Sequence, residues 1–561
     1  MRHTFLPLIA GVLVTAGLAQ EAAKPDAPKP ETPKAETAKP AAREMPADVQ
    51  ALFDARRITD PQKKIEALEK VIADHPKSTT VDQARSEILS TLIKASPDNR
   101  QAIQTQAQKM VDAVQPADRA RVMNTVAVRL LDSGILLEDA ERFASQSIKL
   151  LDEKAYVAGL KKSAAERKQK PPSDGELSWR FRQMKGGYFA ALGRIHVKQG
   201  NDRKGEKALK RAWKLNSNQG NVALVLAELL DKKGKTSQAL DYFITARLVG
   251  GSTTAESARK IEAAYRKTHR DSVDGLEELL DAHYRKKFPP MVHPDAYRPT
   301  ASRSSRIVLA EVFTGSGCPP CVSADLAFDA GLERYTRQEL AVIMYHLHIP
   351  RPDPMTTEDT QSRASYYATN GVPTYIIDGE RDSGGGPREY TPVTWDKVKS
   401  KIDKRLEAPA VAEIALDAVE LGGKVNVRAE ARNLQPDGKD LRMHVVLVEE
   451  SLRYSGENGI RFHAMVARSI GGPKREGFEI DATKPAVEHT FELAGISAES
   501  KKHLDDYEVN GRHGKITFLN KTHEADPTRL GVVAFVQDHK TQSILQSRYL
   551  RLGPAKVSQA R

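Results

Sequence analysis

Gly200 and Gly234 stand 34 residues apart, and their surroundings repeat with them: Leu192, Gly193, Gly200 and Ala212 fall in register with Leu226, Ala227, Gly234 and Ala246. The stretch is written in Ala, Leu, Lys, Glu, Gln and Arg, with apolar residues three and four positions apart, which prescribes helices. Each glycine ends the first helix of a pair. Small residues recur at the matching positions. Looser copies surround Gly134, with Ala140 and Ala144 as the small positions, and span Ile65 to Pro76, where Asp74-His75-Pro76 ends a helix. Lys168 to Gly175, with Pro171-Pro172, interrupts the series as a loop. The helical texture covers residues 47–285.

At roughly 100–200 residues per domain, 561 residues predict several domains rather than one. Residues 1–19 read as a secretory signal: Arg2 and His3, an apolar run from Phe5 to Val14, then Gly17-Leu18-Ala19 at the cleavage point. That run is shorter than the ~20 residues of a membrane span. No Cys follows the cleavage point to carry a lipid. The expectation is an exported protein, periplasmic or extracellular, with no transmembrane span in the mature chain. Residues 20–46 are rich in Lys and Pro with little to bury, and predict a disordered, semi-extended linker. The net charge of +12 is spread through mixed runs such as Arg203-Lys204-Gly205-Glu206-Lys207, the pattern of solvated helix faces, so no nucleic-acid partner is expected.

A linker with Pro289-Pro290, Pro294, Pro299 and Ser302 to Ser305 closes the helical region. Residues 303–408 then read as one α/β domain: a strand at Ile307–Phe313, a helix over Leu326–Leu340, strands at Ala341–Tyr345 and Tyr375–Ile377, and a helix over Thr394–Leu406. Beyond Pro409 the pattern alternates, through Ile414 and Leu416, Val425, Val427 and Ala429, Val446 and Val448, and Val532 to Val536. Gly422-Gly423, Pro436-Asp437-Gly438 and Gly471-Gly472-Pro473 mark turns. Residues 409–553 therefore predict an all-β, sandwich-like domain.

The chain has two cysteines, and both lie in Cys318-Pro319-Pro320-Cys321. A disulfide scaffold would distribute several along the chain. A single pair three positions apart, between a strand and a helix start, points to chemistry. The turn Thr314-Gly315-Ser316-Gly317 leads into Cys318, where a helix is expected to open and to aim its amides at the sulfur, lowering the thiol pKa. Pro319 suits the first helical position. Cys318 is read as the nucleophile and Cys321 as the resolving thiol. A zinc site would need two more ligands; His346 and His348 end a strand and are read as solvent or loop residues, so no metal is assigned. Asp353-Pro354 and Thr356 to Asp359 read as a loop and helix cap, Gly384-Gly385-Gly386 as a turn without the Lys of a phosphate loop, and His463 as a structural or surface residue.

The strand–CxxC–helix order, followed by Gly371-Val372-Pro373-Thr374 before a strand, resembles the thioredoxin-like superfamily, and the Pro-Pro dipeptide resembles its periplasmic thiol–disulfide proteins. The 34-residue period resembles the tetratricopeptide repeat. The first resemblance implies a cis-proline loop against the disulfide, with Val372, Pro373 and Thr374 binding substrate peptide. It also implies a buried acid that handles the proton of the second cysteine. Glu311 is the candidate, one position off the familiar spacing, and Gly317 stands where that family has Trp. No cofactor is implied. The expected fold is multidomain: a tetratricopeptide-like helical solenoid, an α/β thioredoxin-like domain and the C-terminal β domain. The expected function is thiol–disulfide exchange with protein or peptide clients or a redox partner, the helical repeats binding protein. Two alternatives stand beside it: a non-catalytic scaffold or binding protein with a structural disulfide, and a thiol peroxidase.

Overall fold

The computed structural model describes residues 45–553 except 169–170, 252–253 and 435–439. The expected signal, nearly all of the linker, and the turn at Pro436-Asp437-Gly438 lie outside the described residues. The chain forms two compact units that meet in sequence between Ser217 and Asn218.

The first unit is helical: α1 (Ala47–Arg57), α2 (Pro61–Asp74), α3 (Thr80–Ala95), α4 (Arg100–Asp112), α5 (Pro116–Ser133), α6 (Leu137–Lys149), α7 (Glu153–Glu166), α8 (Asp174–Lys198) and α9 (Asp202–Leu215). Side chains cap several starts: Asp60 accepts from the Lys63 amide, Asn99 from Ala102, Asp152 from Ala155 and Ser173 from Glu176. Leu89, Ile103, Val126, Leu130, Phe143 and Ile195 share one core. Gly200 ends α8 at φ +80°, and the next amide, of Asn201, donates to the His196 carbonyl. This is the left-handed termination that glycine adopts without a side-chain clash. Gly193 permits the α8–α9 contact, since a Cβ there would lie 2.6 Å from Leu209 Cγ. Gly193→Val is expected to force the pair apart and cost about 1–3 kcal/mol, read as a lower urea midpoint.

The second unit opens with four more helices, α10 (Gly220–Lys232), α11 (Thr236–Leu248), α12 (Thr254–Thr268) and α13 (Leu276–Lys287), in which α11 packs against both α10 and α12. Gly234, at φ +75°, ends α10 as Gly200 ends α8, with the Lys235 amide on the Leu230 carbonyl. The 34-residue sequence period is thus a period of structure. The helical domain expected over 47–285 is divided, however: α10 to α13 belong to the unit that carries the strands.

That unit continues with β1 (Val308–Thr314), α14 (Cys321–Arg334), β2 (Leu340–His346), α15 (Glu358–Tyr366), β3 (Thr374–Ile377), β4 (Glu380–Ser383) and α16 (Thr391–Glu407). It ends with β5 (Glu413–Leu421), β6 (Lys424–Arg432), β7 (Leu441–Arg453), β8 (Phe462–Ile470), β9 (Phe478–Glu479), β10 (Ala486–Glu492), α17 (Leu493–Asn510), β11 (Leu530–Asp538) and β12 (Ile544–Arg551). β1 runs parallel to β2 and antiparallel to β3. Alternation along β1 divides its neighbours. Thr314 bonds to Asp325 of α14, while Glu311 bonds to Arg363 of α15 and Phe313 packs on Tyr367. Helices α14 and α15 therefore cover opposite faces.

The C-terminal β region differs from the separate sandwich expected. One mixed sheet runs in the order β12-β11-β7-β8-β2-β1-β3-β4, with β9 on β7, and β8 joins β2 in parallel at Met344 and Val466. The physical reason lies in β11, whose nine residues are all buried and so require cover on both faces. A three-stranded sheet, β10-β6-β5, supplies one cover: Val425, Val427 and Ala429 pack against Met443, Val445, Leu447 and Val532. No helix among the described residues is long and apolar enough to cross a membrane.

Candidate functional site

β1 delivers the chain to a tight turn at the end of the sheet. The Cys318 amide donates to the Gly315 carbonyl at 3.0 Å and the Cys321 amide to the Cys318 carbonyl at 3.2 Å. Cys318 and Cys321 are joined in a disulfide. Helix α14 starts at Cys321, three residues later than expected, because the amides that would close an earlier α-turn bond elsewhere. The next amides are also engaged, Val322 on the Pro319 carbonyl and Ser323 on the Gly386 carbonyl. The sulfurs are covered: Cys318 is 1% exposed and Cys321 0%.

The Val372–Pro373 peptide is cis, and the Val372 carbonyl oxygen lies 3.8 Å from Cys318 Sγ, within reach of an S–H in the dithiol form. Thr374 turns its hydroxyl onto the Gly371 carbonyl at 2.9 Å and so ties the same loop to the head of β3. The structure therefore brings Cys318, Cys321, Val372 and Pro373 together. Glu311 is engaged elsewhere, on the α15 face. Its carboxylate accepts from Arg363 Nε and Nη2 at 2.7 and 2.9 Å, from the Tyr367 hydroxyl at 2.7 Å and from the Tyr345 hydroxyl at 3.2 Å.

The sequence reading missed a different acid. Asp325 lies one turn after Cys321 on the same face of α14. The Thr314 hydroxyl donates to its Oδ2 at 2.9 Å, and Oδ1 is buried without a partner. Burial pushes this carboxyl up to about 7, against the pull of His346. Burial likewise pushes Asp329, a further turn on, up to about 7. The available signal was the Cys321, Asp325, Asp329 spacing of four.

The Gly384-Gly385-Gly386 turn also belongs to the site. The Gly386 amide donates to the Pro320 carbonyl at 2.8 Å. A Cβ on Gly385 would collide with the same carbonyl and approach Pro373 Cγ to 2.6 Å, so only a glycine fits between the two prolines. His346 and His348 are not solvent residues. His346 Nδ1 pairs with Asp353 Oδ2 at 2.8 Å, and the Asp353 amide donates to His348 Nδ1 at 3.0 Å. Asp353 also accepts from the Ser316 amide at 2.6 Å, just ahead of the disulfide. Burial works to raise its pKa, yet His346 and the Ser316 and Met355 amides hold it at about 2. His463 is buried, its Nε2 on the Tyr454 carbonyl. Among the described residues no cluster of three His, Cys, Asp or Glu is placed to hold a metal.

No family model matches the chain, and no curated protein sequence matches it. Solved structures do. The chain is similar to pilF of Pseudomonas aeruginosa, at 16% identity over 42% of this chain and 96% of that one, with a TM-score of 0.26. It is similar to BtubC (BKLC) of P. vanneervenii, at 13% identity over 46% of this chain and 98% of that one, with a TM-score of 0.28. It is also similar to a thermophilic TPR protein of Thermus thermophilus, at 15% identity over 39% of this chain and 98% of that one, with a TM-score of 0.25. Scores this low say nothing about activity. The tetratricopeptide-like character of the helices rests on the chain's own 34-residue period and its repeated glycine terminations.

Proposed function

We propose that the chain is an exported thiol–disulfide oxidoreductase of thioredoxin-like kind, exchanging disulfides with a protein client or a redox partner through Cys318 and Cys321. The observation that supports this best is the Cys318–Cys321 disulfide at the β1–α14 junction, with the Val372 carbonyl 3.8 Å from Cys318 Sγ. In the reducing direction, the Cys318 thiolate attacks a client disulfide. One client sulfur leaves as a thiol and a mixed disulfide forms. Cys321 then attacks Cys318 Sγ, expelling the second client thiol and closing the internal disulfide, so that two electrons pass to the client. Cys321 must lose its proton first. Asp325 suits that role better than Glu311, whose oxygens Arg363, Tyr345 and Tyr367 already occupy. The helix pairs would supply a surface for the client or partner.

The near-complete burial of both sulfurs favours a second reading, a binding scaffold whose disulfide is structural. Reduction of insulin disulfides by dithiothreitol separates the two. The wild-type protein is expected to accelerate it at least tenfold, and Cys318→Ser to return it to the uncatalysed rate. A wild-type protein without effect, or a Cys318→Ser variant with full effect, would establish the scaffold.

A further inference from the structure

The turn that carries Cys318 is held by a segment some 140 residues away in sequence. The β7–β8 connection, Tyr454 to Arg461, reaches it as a closed loop. The Tyr454 amide donates to the Arg461 carbonyl at 2.9 Å and the Gly456 amide to the Ile460 carbonyl at 2.8 Å. At its tip, Asn458 donates its backbone amide to the Ser316 carbonyl at 2.8 Å and its Nδ2 to the Gly315 carbonyl at 3.2 Å. The Gly315 carbonyl is the same oxygen that accepts the Cys318 amide. Next to Asn458, Glu457 pairs with Arg351 at 2.6 Å. The aliphatic stem of Arg351 lies over Gly317, its Cβ 2.9 Å from where a Cβ on that glycine would stand.

The far side of the connection is bound to helices. Arg247 of α11 donates to the Ser455 carbonyl at 2.9 Å, and the Gly251 amide, just past α11, donates to the Glu457 carbonyl at 2.6 Å. Arg461, 2% exposed, joins Ser455 to Asp281 and Glu277 of α13, each contact at 2.6 or 2.7 Å. Arg388 reaches the Gly459 carbonyl at 3.1 Å. One short loop thus bonds to two helices behind it and to the cysteine turn before it.

We infer that the Tyr454–Arg461 segment is a strap that sets the reactivity of Cys318, with Asn458 as its positioning residue and the Arg351–Glu457 pair as its latch. The strap acts in two ways. Asn458 fixes the Gly315–Ser316 carbonyls, and so the turn from which Cys318 hangs. The latch keeps the Arg351 stem over Gly317 and the sulfur beneath the surface. Because its anchors lie on α11 and α13, a partner that shifts those helices would change access to the disulfide.

The inference rests on the reading of Cys318–Cys321 as a working pair, and its test addresses the sulfurs directly. Dithiothreitol reduces the disulfide by attack on one sulfur, release of the other as a thiol, and closure of the reagent into its own cyclic disulfide. Asn458→Ala is expected to be reduced at least tenfold faster than wild type, and Arg351→Ala at least threefold faster. In the reduced protein, the pH midpoint for alkylation of Cys318 by iodoacetamide is expected to move upward by half a unit or more in Asn458→Ala, since the Gly315 carbonyl then loses one of its two donors and keeps more of its partial negative charge. Rates within twofold of wild type in both variants, with an unmoved midpoint, would overturn the strap. Should Asn458→Ala fail to fold, Arg351→Ala decides alone, because Arg351 is half-exposed and its removal leaves no buried charge. A protein inert toward client disulfides but with the expected variant rates would overturn the oxidoreductase reading and leave the strap standing.

Discussion

Asp325→Asn is expected to make the protein more stable at pH 8, by about 2–4 kcal/mol, and to slow disulfide exchange at least tenfold. The stability change follows from linkage. Burial raises the Asp325 carboxyl from 3.8 to about 7 in the folded chain, so the folded state binds its proton more tightly than the unfolded state does. What the group contributes is fully present below pH 3.8 and is lost as the pH rises toward 7, at about 1.4 kcal/mol per pH unit. Asparagine cannot ionise, and its side-chain oxygen still accepts from Thr314. Its advantage should therefore be nil near pH 3.5 and complete above pH 7, which urea unfolding at several pH values reads directly. A residue whose replacement stabilises the fold while slowing the reaction is held for its chemistry. Equal stability of the two proteins at pH 8 would show that Asp325 is better solvated than its 7% exposure implies.

Arg363→Met should be strongly destabilising, costing about 3–5 kcal/mol. The Glu311 carboxylate is fully buried between sheet and helix and has Arg363 as its salt-bridge partner. The guanidinium also holds the Tyr367 hydroxyl and the Gln537 side-chain oxygen, tying α15 to both β1 and β11. Removing the cation alone strands a charge. Removing both charges in Glu311→Gln/Arg363→Met should recover a large part of the loss, and a double-mutant cycle in urea measures the difference. A single variant as stable as wild type would mean that water enters to solvate Glu311.

What the sequence displayed and what it hid divide along physical lines. Helix pairs were legible because Gly200 and Gly234 must stand where the chain turns left-handed, and because small residues such as Gly193 must stand where helices touch. The βαβ order and the cysteine pair were legible from local periodicity. The course of the C-terminal strands was not. β7 and β11 are buried on both faces, so their apolar runs name no partner, and nothing local in Val466 announces a bond to Met344 more than a hundred residues earlier. The expected acid was sought on the strand, where Glu311 is indeed buried but faces the wrong helix. Asp325, on α14, is marked in sequence only by its spacing of four from Cys321. Gly385 and Asn458 were invisible for the same reason: each matters through what approaches it from elsewhere in the chain.

The seam between β2 and β8 makes the disulfide region inseparable from the last third of the chain. β2 is an interior strand, and β1 is anchored at its root by Gln546 and Ser547 of β12, which bond to the Ile307 amide and carbonyl at 2.8 and 2.9 Å. A fragment ending at Pro409 would bare, where β8 had been, the edge of a strand whose seven residues are all buried, an invitation to pair with other copies. The part that carries the cysteines is therefore no cassette to be cut out and grafted, and lineages that kept it would have had to inherit the strands on both sides of that seam together.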